Sequence, residues 1–117
     1  MWNVEFYEKD NGEIPVRDFL KSLEPKMRAK AVKEIEILEE LGIALREPYS
    51  KPVQDGIFEL RIQFSGDIAR VFYFFVIENR VILTNGFIKK TQKTPKREIE
   101  KAQAYKVDYE RREKNEI

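Results

Sequence analysis

The stretch from Phe58 to Ile88, FELRIQFSGDIARVFYFFVIENRVILTNGFI, decides the fold of this chain. Apolar and polar residues alternate from Phe58 to Phe64, which is typical of a half-buried strand. The run Ile68–Ile77 is almost wholly apolar, as in a central strand covered on both faces, and Val81–Ile88 is a third apolar run. Turn-forming residues separate the three runs, namely Ser65-Gly66-Asp67 and Glu78-Asn79-Arg80. The stretch therefore predicts a three-stranded meander.

The segments before the meander predict one further strand and two helices. Trp2, Val4 and Phe6 alternate with polar or amphipathic neighbours, as expected of a half-buried first strand. Pro15 and Pro25 each stand where a first helical residue would, which predicts helices near 15–23 and 25–41. The expected C-terminal cap of the second helix is Gly42, and residues 45–56 are expected to form a connecting loop.

After the meander, Thr94 is expected to cap a final helix that starts at Pro95, with residues 110–117 frayed. Runs of one element type predict an α+β fold rather than an alternating α/β fold. We expect a small, mostly antiparallel sheet made of the N-terminal strand and the meander. An N-terminal helical hairpin and a C-terminal helix would pack on it, in a single domain spanning residues 1–117.

Composition narrows the possible chemistry. A chain of 117 residues with 42% apolar residues suits one folded domain. The chain has no cysteine and no histidine, which excludes thiolate chemistry, the usual general base and the commonest metal ligand. No apolar run approaches a membrane span. We therefore expect a soluble, cytoplasmic protein that uses no cofactor, no metal and no membrane.

The net charge of +1 conceals an uneven distribution. Residues 1–50 carry eight basic and eleven acidic residues, whereas residues 51–97 carry nine basic and four acidic ones. Within that basic region no acid interrupts the segment between Phe87 and Arg97, whose cations are Lys89, Lys90, Lys93, Lys96 and Arg97. An unopposed positive field beside an aromatic ring is typical of nucleic-acid binding. The alternative is a solvated loop whose lysines serve solubility.

Polar residues interrupt the apolar strands at three places. Glu59 and Arg61 are two apart, so their side chains leave the same face of one strand. Arg70 interrupts the most apolar of the predicted strands. Burial of its charge there would cost free energy unless the guanidinium reaches a binding site or an acidic residue. We expect Arg61, Arg70 and the loop 89–93 to line one basic surface. The alternatives are a cross-strand charge pair for Glu59 with Arg61, and a strand-end position in contact with solvent for Arg70.

Three motifs together resemble the RelE/HigB superfamily of toxins, most closely its phage-derived Gp49-like branch. They are Phe58-Glu59-Leu60-Arg61, Arg70-Val71-Phe72-Tyr73, and Gly86-Phe87-Ile88-Lys89-Lys90-Thr91 leading to Thr94-Pro95. The resemblance implies the toxin of a type II toxin–antitoxin pair that cleaves mRNA on the translating ribosome. It also implies a helix-turn-helix antitoxin of the HigA kind, bound in a hetero-oligomer that reaches operator DNA only through the antitoxin.

The resemblance also implies roles for individual residues. Arg61 and Arg70 would stabilise the phosphate and the transition state, and Lys89 or Lys90 would transfer a proton. Glu59 is an alternative base. Contacts with RNA would come from Phe87 by stacking on a base, and from Lys93, Thr91 and Glu59.

Two other functions are compatible with the same scaffold. One is a ParE-like inhibitor of DNA gyrase, which would not need the basic cluster. The other is a nucleic-acid-binding module without catalytic activity. The antitoxin surface is expected on residues 15–41 or on the final helix, and the sequence does not decide between them.

Overall fold

The computed structural model describes residues 1–90 and 93–115. Within them five strands and three α-helices follow in the order β1, α1, α2, β2, β3, β4, β5, α3. Their bounds are β1 Asn3–Phe6, α1 Pro15–Ser22, α2 Pro25–Leu41, β2 Ser50–Gln54, β3 Ile57–Phe64, β4 Asp67–Val76, β5 Arg80–Ile88 and α3 Lys96–Asn115. A short 3-10 turn at Gly42–Ala44 follows α2. The α+β class predicted from the sequence is confirmed.

The strands form one sheet in the order β1-β5-β4-β3-β2. The predicted meander is confirmed, since β3 pairs antiparallel with β4, and β4 with β5. β1 pairs in parallel with β5, so the sheet is mixed, and the expected sheet of four strands gains a fifth. The direction of β1 depends on how the chain returns across the sheet, which local periodicity does not encode.

β2 lies inside the region 45–56, where a connecting loop was expected, and that prediction is wrong for Ser50–Gln54. Pro48, Pro52 and Gly56 suggested a loop because proline breaks most strands. Here β2 is an edge strand, where a missing backbone N–H costs least. A register shift between Pro52 and Gln54 accommodates the irregularity.

One face of the sheet is covered by α1 and α2, which begin at Pro15 and Pro25 as predicted. α1 lies against β5, and α2 lies against β3. The expected helical hairpin is therefore only partly matched, because the two helices pack more on the sheet than on each other. The core on this face comprises Val16, Leu23, Met27, Ala31, Leu38, Leu45, Leu60, Ile62, Ala69, Val71, Tyr73, Val81 and Leu83.

The opposite face of the sheet is covered by α3. Two clusters form this second layer: Ile57, Phe72, Phe87 and Ala102 with Ile99, and Tyr7, Phe74 and Ile82 with Tyr105 and Tyr109. The sheet is thus buried between helices on both sides, as the apolar run of β4 predicted. None of the helices within residues 1–90 and 93–115 is long and apolar enough to cross a membrane.

The start of α3 differs from the prediction. The helix begins at Lys96, one residue after the predicted start at Pro95. Thr94 donates a hydrogen bond to Glu59 at 3.1 Å. The carbonyl of Pro95 accepts the first helical hydrogen bond, from the backbone N–H of Glu98 at 3.0 Å. The hydrogen bond from Thr94 to the Glu59 carboxylate holds the threonine against the sheet.

The end of α3 was expected to fray, and this prediction is wrong up to Asn115. Side chains in this segment are anchored to the body of the protein. Arg112 donates to the carbonyl of Glu8 at 2.8 Å, and Glu113 accepts from Arg80 at 2.6 Å. The sequence EKN shows only polar residues, so nothing local revealed these long-range partners.

The predicted cap at Gly42 is confirmed and has a second role. Gly42 ends α2 with φ at +50°, a conformation that disfavours side chains. The indole of Trp2 lies directly against it, such that a Cβ at position 42 would clash with the indole nitrogen. Trp2 in turn packs on Phe75 at 5.2 Å between ring centroids. The glycine therefore lets the N-terminus close over the end of α2.

Gly42→Ala is expected to lower the free energy of unfolding by about 2–5 kcal/mol, the sum of backbone strain and overpacking against Trp2. Gly12→Ala is the matched control, because Gly12 also has a positive φ, of +89°, but a Cβ added there would have nothing within 4 Å of it. The control should lose only about 1–2 kcal/mol. Urea unfolding measures both, and equal losses would show that Trp2 does not constrain this position.

Candidate functional site

Strand register brings the predicted cations together. Arg61 of β3 pairs with Arg70 of β4, and Arg70 pairs with Phe87 of β5. Directly paired residues on neighbouring strands project from the same face of a sheet. The three side chains therefore form a row across three strands on the face that α3 covers.

The rows on either side of this one complete the site. On one side, Lys51 of β2 pairs with Glu59 of β3. On the other side, the backbone N–H of Lys89 donates to the carbonyl of Ile68 at 2.8 Å and continues the β4–β5 pairing by one residue. Lys89 follows Phe87 by two positions and so shares its face. The cationic face is defined here as Lys51, Arg61, Arg70 and Lys89, arranged around Glu59.

An ion pair between Glu59 and Arg70 lies at the centre of the cationic face. The two side chains are 0% and 5% exposed, so the pair is almost completely removed from water. Arg70 also donates to its own strand at the carbonyl of Ala69, 3.2 Å away. The alternative interpretation of Arg70 as a strand-end residue in contact with solvent is wrong, and Glu59 pairs with Arg70 rather than with Arg61.

Burial and neighbouring charge shift the pKa values of two bases in the site. Burial lowers the pKa of Arg70, and the Glu59 carboxylate opposes that change. Burial also lowers the pKa of Lys89 from 10.5, and the positive charges of Arg70, Lys51 and Arg61 lower it further, against the attraction of Glu59. An arginine stays protonated even so. Lys89 thus gives up its proton more readily than an ordinary lysine.

Arg61 is the arginine of the row that reaches the surface. Its side chain is half-buried, and one terminal nitrogen makes a long hydrogen bond of 3.5 Å to the carbonyl of Pro48. Its buried Nε donates no hydrogen bond to any acceptor within residues 1–90 and 93–115. A phosphate oxygen is the kind of acceptor that an arginine fork binds best.

Phe87 is mostly buried. Only 8% of the residue is exposed, and its ring packs on Phe72 with 5.5 Å between centroids. Stacking of Phe87 on a nucleobase stays a prediction, and little of the ring surface is accessible for it. Beside it, the side-chain amide of Asn85 donates to the carbonyl of Glu98 at 3.2 Å and fixes the first turn of α3 next to the site.

The basic loop, defined here as residues 89–94, is anchored at both of its ends. Lys89 bonds through its backbone N–H to Ile68 of β4, and Thr94 bonds through its hydroxyl to Glu59. Lys90 and Lys93 are exposed between these anchors. Thr91, which was predicted to contact RNA, lies outside the described residues. The geometry thus brings Glu59, Arg61, Arg70 and Lys89 together, while Lys90 and Lys93 lie on the adjoining loop.

Sequence reasoning missed Lys51. Its position on the cationic face follows from the pairing with Glu59, which only an ordered β2 provides. Val53 is a β-branched residue that favours a strand at this place, and in the structure it packs against the cluster under α3. Pro48 and Pro52 nevertheless favoured the prediction of a loop.

The side chains of the cationic face offer fixed positive charges and, at Lys89, an amine of lowered pKa. Within the described part of the chain no three carboxylates lie close enough to hold a metal ion. The arrangement can instead bind and polarise a phosphodiester through fixed positive charges, and it can accept a proton at Lys89.

Residues 18–106 match the model of a protein family described as phage-derived protein Gp49-like. The matched region covers more than half of the chain and contains the whole cationic face. No curated protein matches the chain.

Arg70→Ala is expected to lower the free energy of unfolding by about 3–5 kcal/mol, because it leaves the carboxylate of Glu59 buried without its partner. The double variant Glu59→Leu, Arg70→Met should recover most of that loss, since apolar residues of similar size can replace a buried pair. The single variants Glu59→Leu and Arg70→Met complete the double-mutant cycle, and urea unfolding measures the stability of every variant.

The control for that cycle is Arg61→Ala, which removes a half-exposed cation from the same row and should cost at most about 0.5 kcal/mol. If Arg70→Ala were no more destabilising than Arg61→Ala, the Glu59–Arg70 pair would not hold the site together.

Proposed function

This chain belongs to the Gp49-like family of phage-derived proteins, a family of RelE/HigB-type toxins, and we propose that it cleaves mRNA on the translating ribosome. The family is associated with toxin–antitoxin systems and with toxin ribonuclease activity. The observation that carries the proposal is the cationic face, in which a lysine of lowered pKa stands beside two arginines.

The proposed reaction needs neither a metal nor a protein nucleophile. The ribose 2′-oxygen attacks the adjacent phosphorus, the bond from phosphorus to the 5′-oxygen breaks, and a 2′,3′-cyclic phosphate and a 5′-hydroxyl result. A base takes the proton from the 2′-hydroxyl, and an acid gives one to the leaving 5′-oxygen. Fixed cations stabilise the charge that gathers on the phosphoryl oxygens.

Lys89 is the proposed general base. Its pKa is lowered by burial and by the neighbouring cations, which brings the neutral amine closer to working pH. Lys90 stays a second candidate from the sequence. Glu59 is fully buried and paired with Arg70, so its proposed role is to position that arginine rather than to contact RNA.

Arg61 is proposed to hold the scissile phosphate, because its half-exposed side chain makes only a long hydrogen bond of 3.5 Å to the carbonyl of Pro48. The side chain of Arg70 is only 5% exposed, and so its main proposed role is to supply positive charge from beneath the phosphate and to lower the pKa of Lys89. Lys51, Lys90 and Lys93 would bind the RNA backbone around this centre.

The family implies an antitoxin partner. We propose that this partner is a helix-turn-helix protein of the HigA kind, that the complex is a hetero-oligomer, and that operator DNA is bound through the antitoxin.

Expression of the chain from an inducible promoter is expected to arrest bacterial growth, with new mRNA 5′-hydroxyl ends inside translated frames and in phase with codons. Arg61→Ala should reduce these ends by about 100-fold, because it removes a donor that stabilises transition-state charge. Arg17→Ala is the matched control, an exposed arginine on α1 that should change nothing. Co-expression of the neighbouring gene should restore growth if that gene encodes the antitoxin.

Other outcomes would support other functions. Growth arrest with intact mRNA and supercoiling-defective DNA would point to a gyrase inhibitor. Salt-sensitive RNA binding without arrest or cleavage would point to a binding module. Unchanged cleavage by Arg61→Ala would remove Arg61 from the site.

Cleavage on purified ribosomes is expected to rise with pH as Lys89 loses its proton, and this rise should lie below pH 10.5, because the pKa of Lys89 is lowered from that value. Lys89→Arg keeps the charge but cannot act as a base, since the pKa of arginine exceeds about 12. It should abolish the rising limb of the pH–rate profile. Lys90→Arg, on an exposed neighbour, should leave the limb in place, and loss of the limb in that variant alone would move the base to Lys90.

A further inference from the structure

Lys51 lies directly opposite a buried carboxylate and does not pair with it. The register places Lys51 of β2 across from Glu59 of β3 on one face of the sheet, where Cβ atoms are about 4.5–5.5 Å apart. Opposite charges in such positions usually attract each other across the strands. Within residues 1–90 and 93–115, however, the Lys51 amine makes neither a hydrogen bond nor an ion pair. Another group therefore keeps the carboxylate from binding this lysine.

Both oxygens of the Glu59 carboxylate already have partners. Oε1 pairs with Nε of Arg70, and Oε2 accepts the hydrogen bond from the Thr94 hydroxyl at 3.1 Å. The buried carboxylate of Glu34 on α2 shows the contrast, because the amine of Lys30 binds it at 3.0 Å. At Glu59 a neutral hydroxyl takes the place that a lysine takes at Glu34. The hydroxyl satisfies the buried carboxylate without using a cation.

We propose that Thr94 is a positioning residue, whose hydroxyl occupies the second oxygen of Glu59 and so keeps the Lys51 amine available for an RNA phosphate. The inference rests on the proposed function, in which Lys51 binds the RNA backbone around the scissile phosphate. Lys51 is only half-buried, so its flexible stem can carry the amine to bound RNA as long as Glu59 does not hold it.

Thr94→Val removes the hydroxyl and keeps the shape of the side chain. Oε2 of Glu59 then lies buried without a donor, and the Lys51 amine is the directly opposite cation that can replace the hydroxyl. The helix α3 should stay in place, because Asn85 holds its first turn through the hydrogen bond of 3.2 Å to the carbonyl of Glu98. Thr94→Ser keeps the donor and should behave as the wild type.

The first experiment measures kcat and KM for mRNA cleavage on purified, programmed ribosomes over a range of salt concentrations. Thr94→Val should raise KM by about 4-fold at about 0.15 M salt, and should make the slope of log KM against log salt concentration shallower by about 0.7, as expected when one lysine–phosphate contact with single-stranded RNA is lost. The kcat should change little, because this contact is made equally in the ground state and the transition state. A merely structural role would reduce the amount of folded toxin, which lowers kcat and leaves KM and the salt slope unchanged.

A double-mutant cycle tests whether Thr94 acts through Lys51. Lys51→Ala should raise KM by the same factor, and Thr94→Val added to it should raise KM no further. Thr84→Val is the matched control, because it removes a threonine hydroxyl that bonds inside the sheet, to the carbonyl of Phe72 at 3.3 Å. This control should keep the wild-type KM and salt slope.

The second experiment needs no catalytic activity. Reductive methylation of the amines of the purified chain, followed by mass spectrometry, should modify Lys51 several-fold more slowly in Thr94→Val than in the wild type, because an amine bound to a buried carboxylate is protonated and covered. The exposed Lys33 on α2 should react equally in both proteins.

The results separate this inference from the proposed function. A wild-type KM and salt slope in Thr94→Val would overturn the inference and leave the nuclease intact. Multiplying effects of Thr94→Val and Lys51→Ala on KM, or equal methylation of Lys51 in both proteins, would also overturn it. No cleavage by the wild type would refute the proposed function, and the methylation of Lys51 would then still decide whether Thr94 keeps that amine from Glu59.

Discussion

The buried ion pair between Glu59 and Arg70 is the interaction on which the rest of the site depends. Charges removed from water are tolerated only when they are paired and hydrogen-bonded. Here the ion pair and the hydrogen bond to it connect residues from three separate segments of the chain. Arg70 contributes the central strand, Glu59 the neighbouring strand, and Thr94 brings the end of the basic loop onto the same carboxylate. Thr94 is held against the sheet because its hydroxyl donates a hydrogen bond to this carboxylate.

The register of the meander places Arg61 and Phe87 beside the Glu59–Arg70 pair. A slip of one residue in any strand would turn its side chains to the opposite face. A slip of β3 would bury Arg61 under α1 and α2 and would turn Leu60 and Ile62, which are fully buried now, towards the face of the cations. A slip of β4 would do the same to Arg70 and Val71. The apolar packing on one face therefore fixes the positions of the cations on the other. Stability and function are coupled through the alternation of the strands rather than through a shared residue.

The parts of this arrangement that local sequence encodes were predictable. The three meander strands, both proline-started helices and the Gly42 cap depend on periodicity and turn chemistry within a few residues, and each is confirmed. β2 was missed because the edge position that makes Pro52 acceptable is a property of the whole sheet. Lys51 was missed with it. The partners of Thr94, Arg112 and Glu113 lie far away in the chain, so the extent of α3 was not readable from its own residues.

In the proposed reaction, which has no histidine to use, a single cluster of cations performs two tasks that act against each other. The charges of Lys51, Arg61 and Arg70 attract a phosphate, and they also lower the pKa of Lys89 so that it can accept a proton. A bound phosphate brings negative charge that weakens the second effect as it satisfies the first. Burial, the largest cause of the lowered Lys89 pKa, does not depend on those charges and is retained when RNA binds. The buried carboxylate of Glu59 limits the repulsion among the cations, and its burial would keep it from contacting RNA. A protein of almost neutral net charge can therefore concentrate its positive charge where a phosphodiester would react.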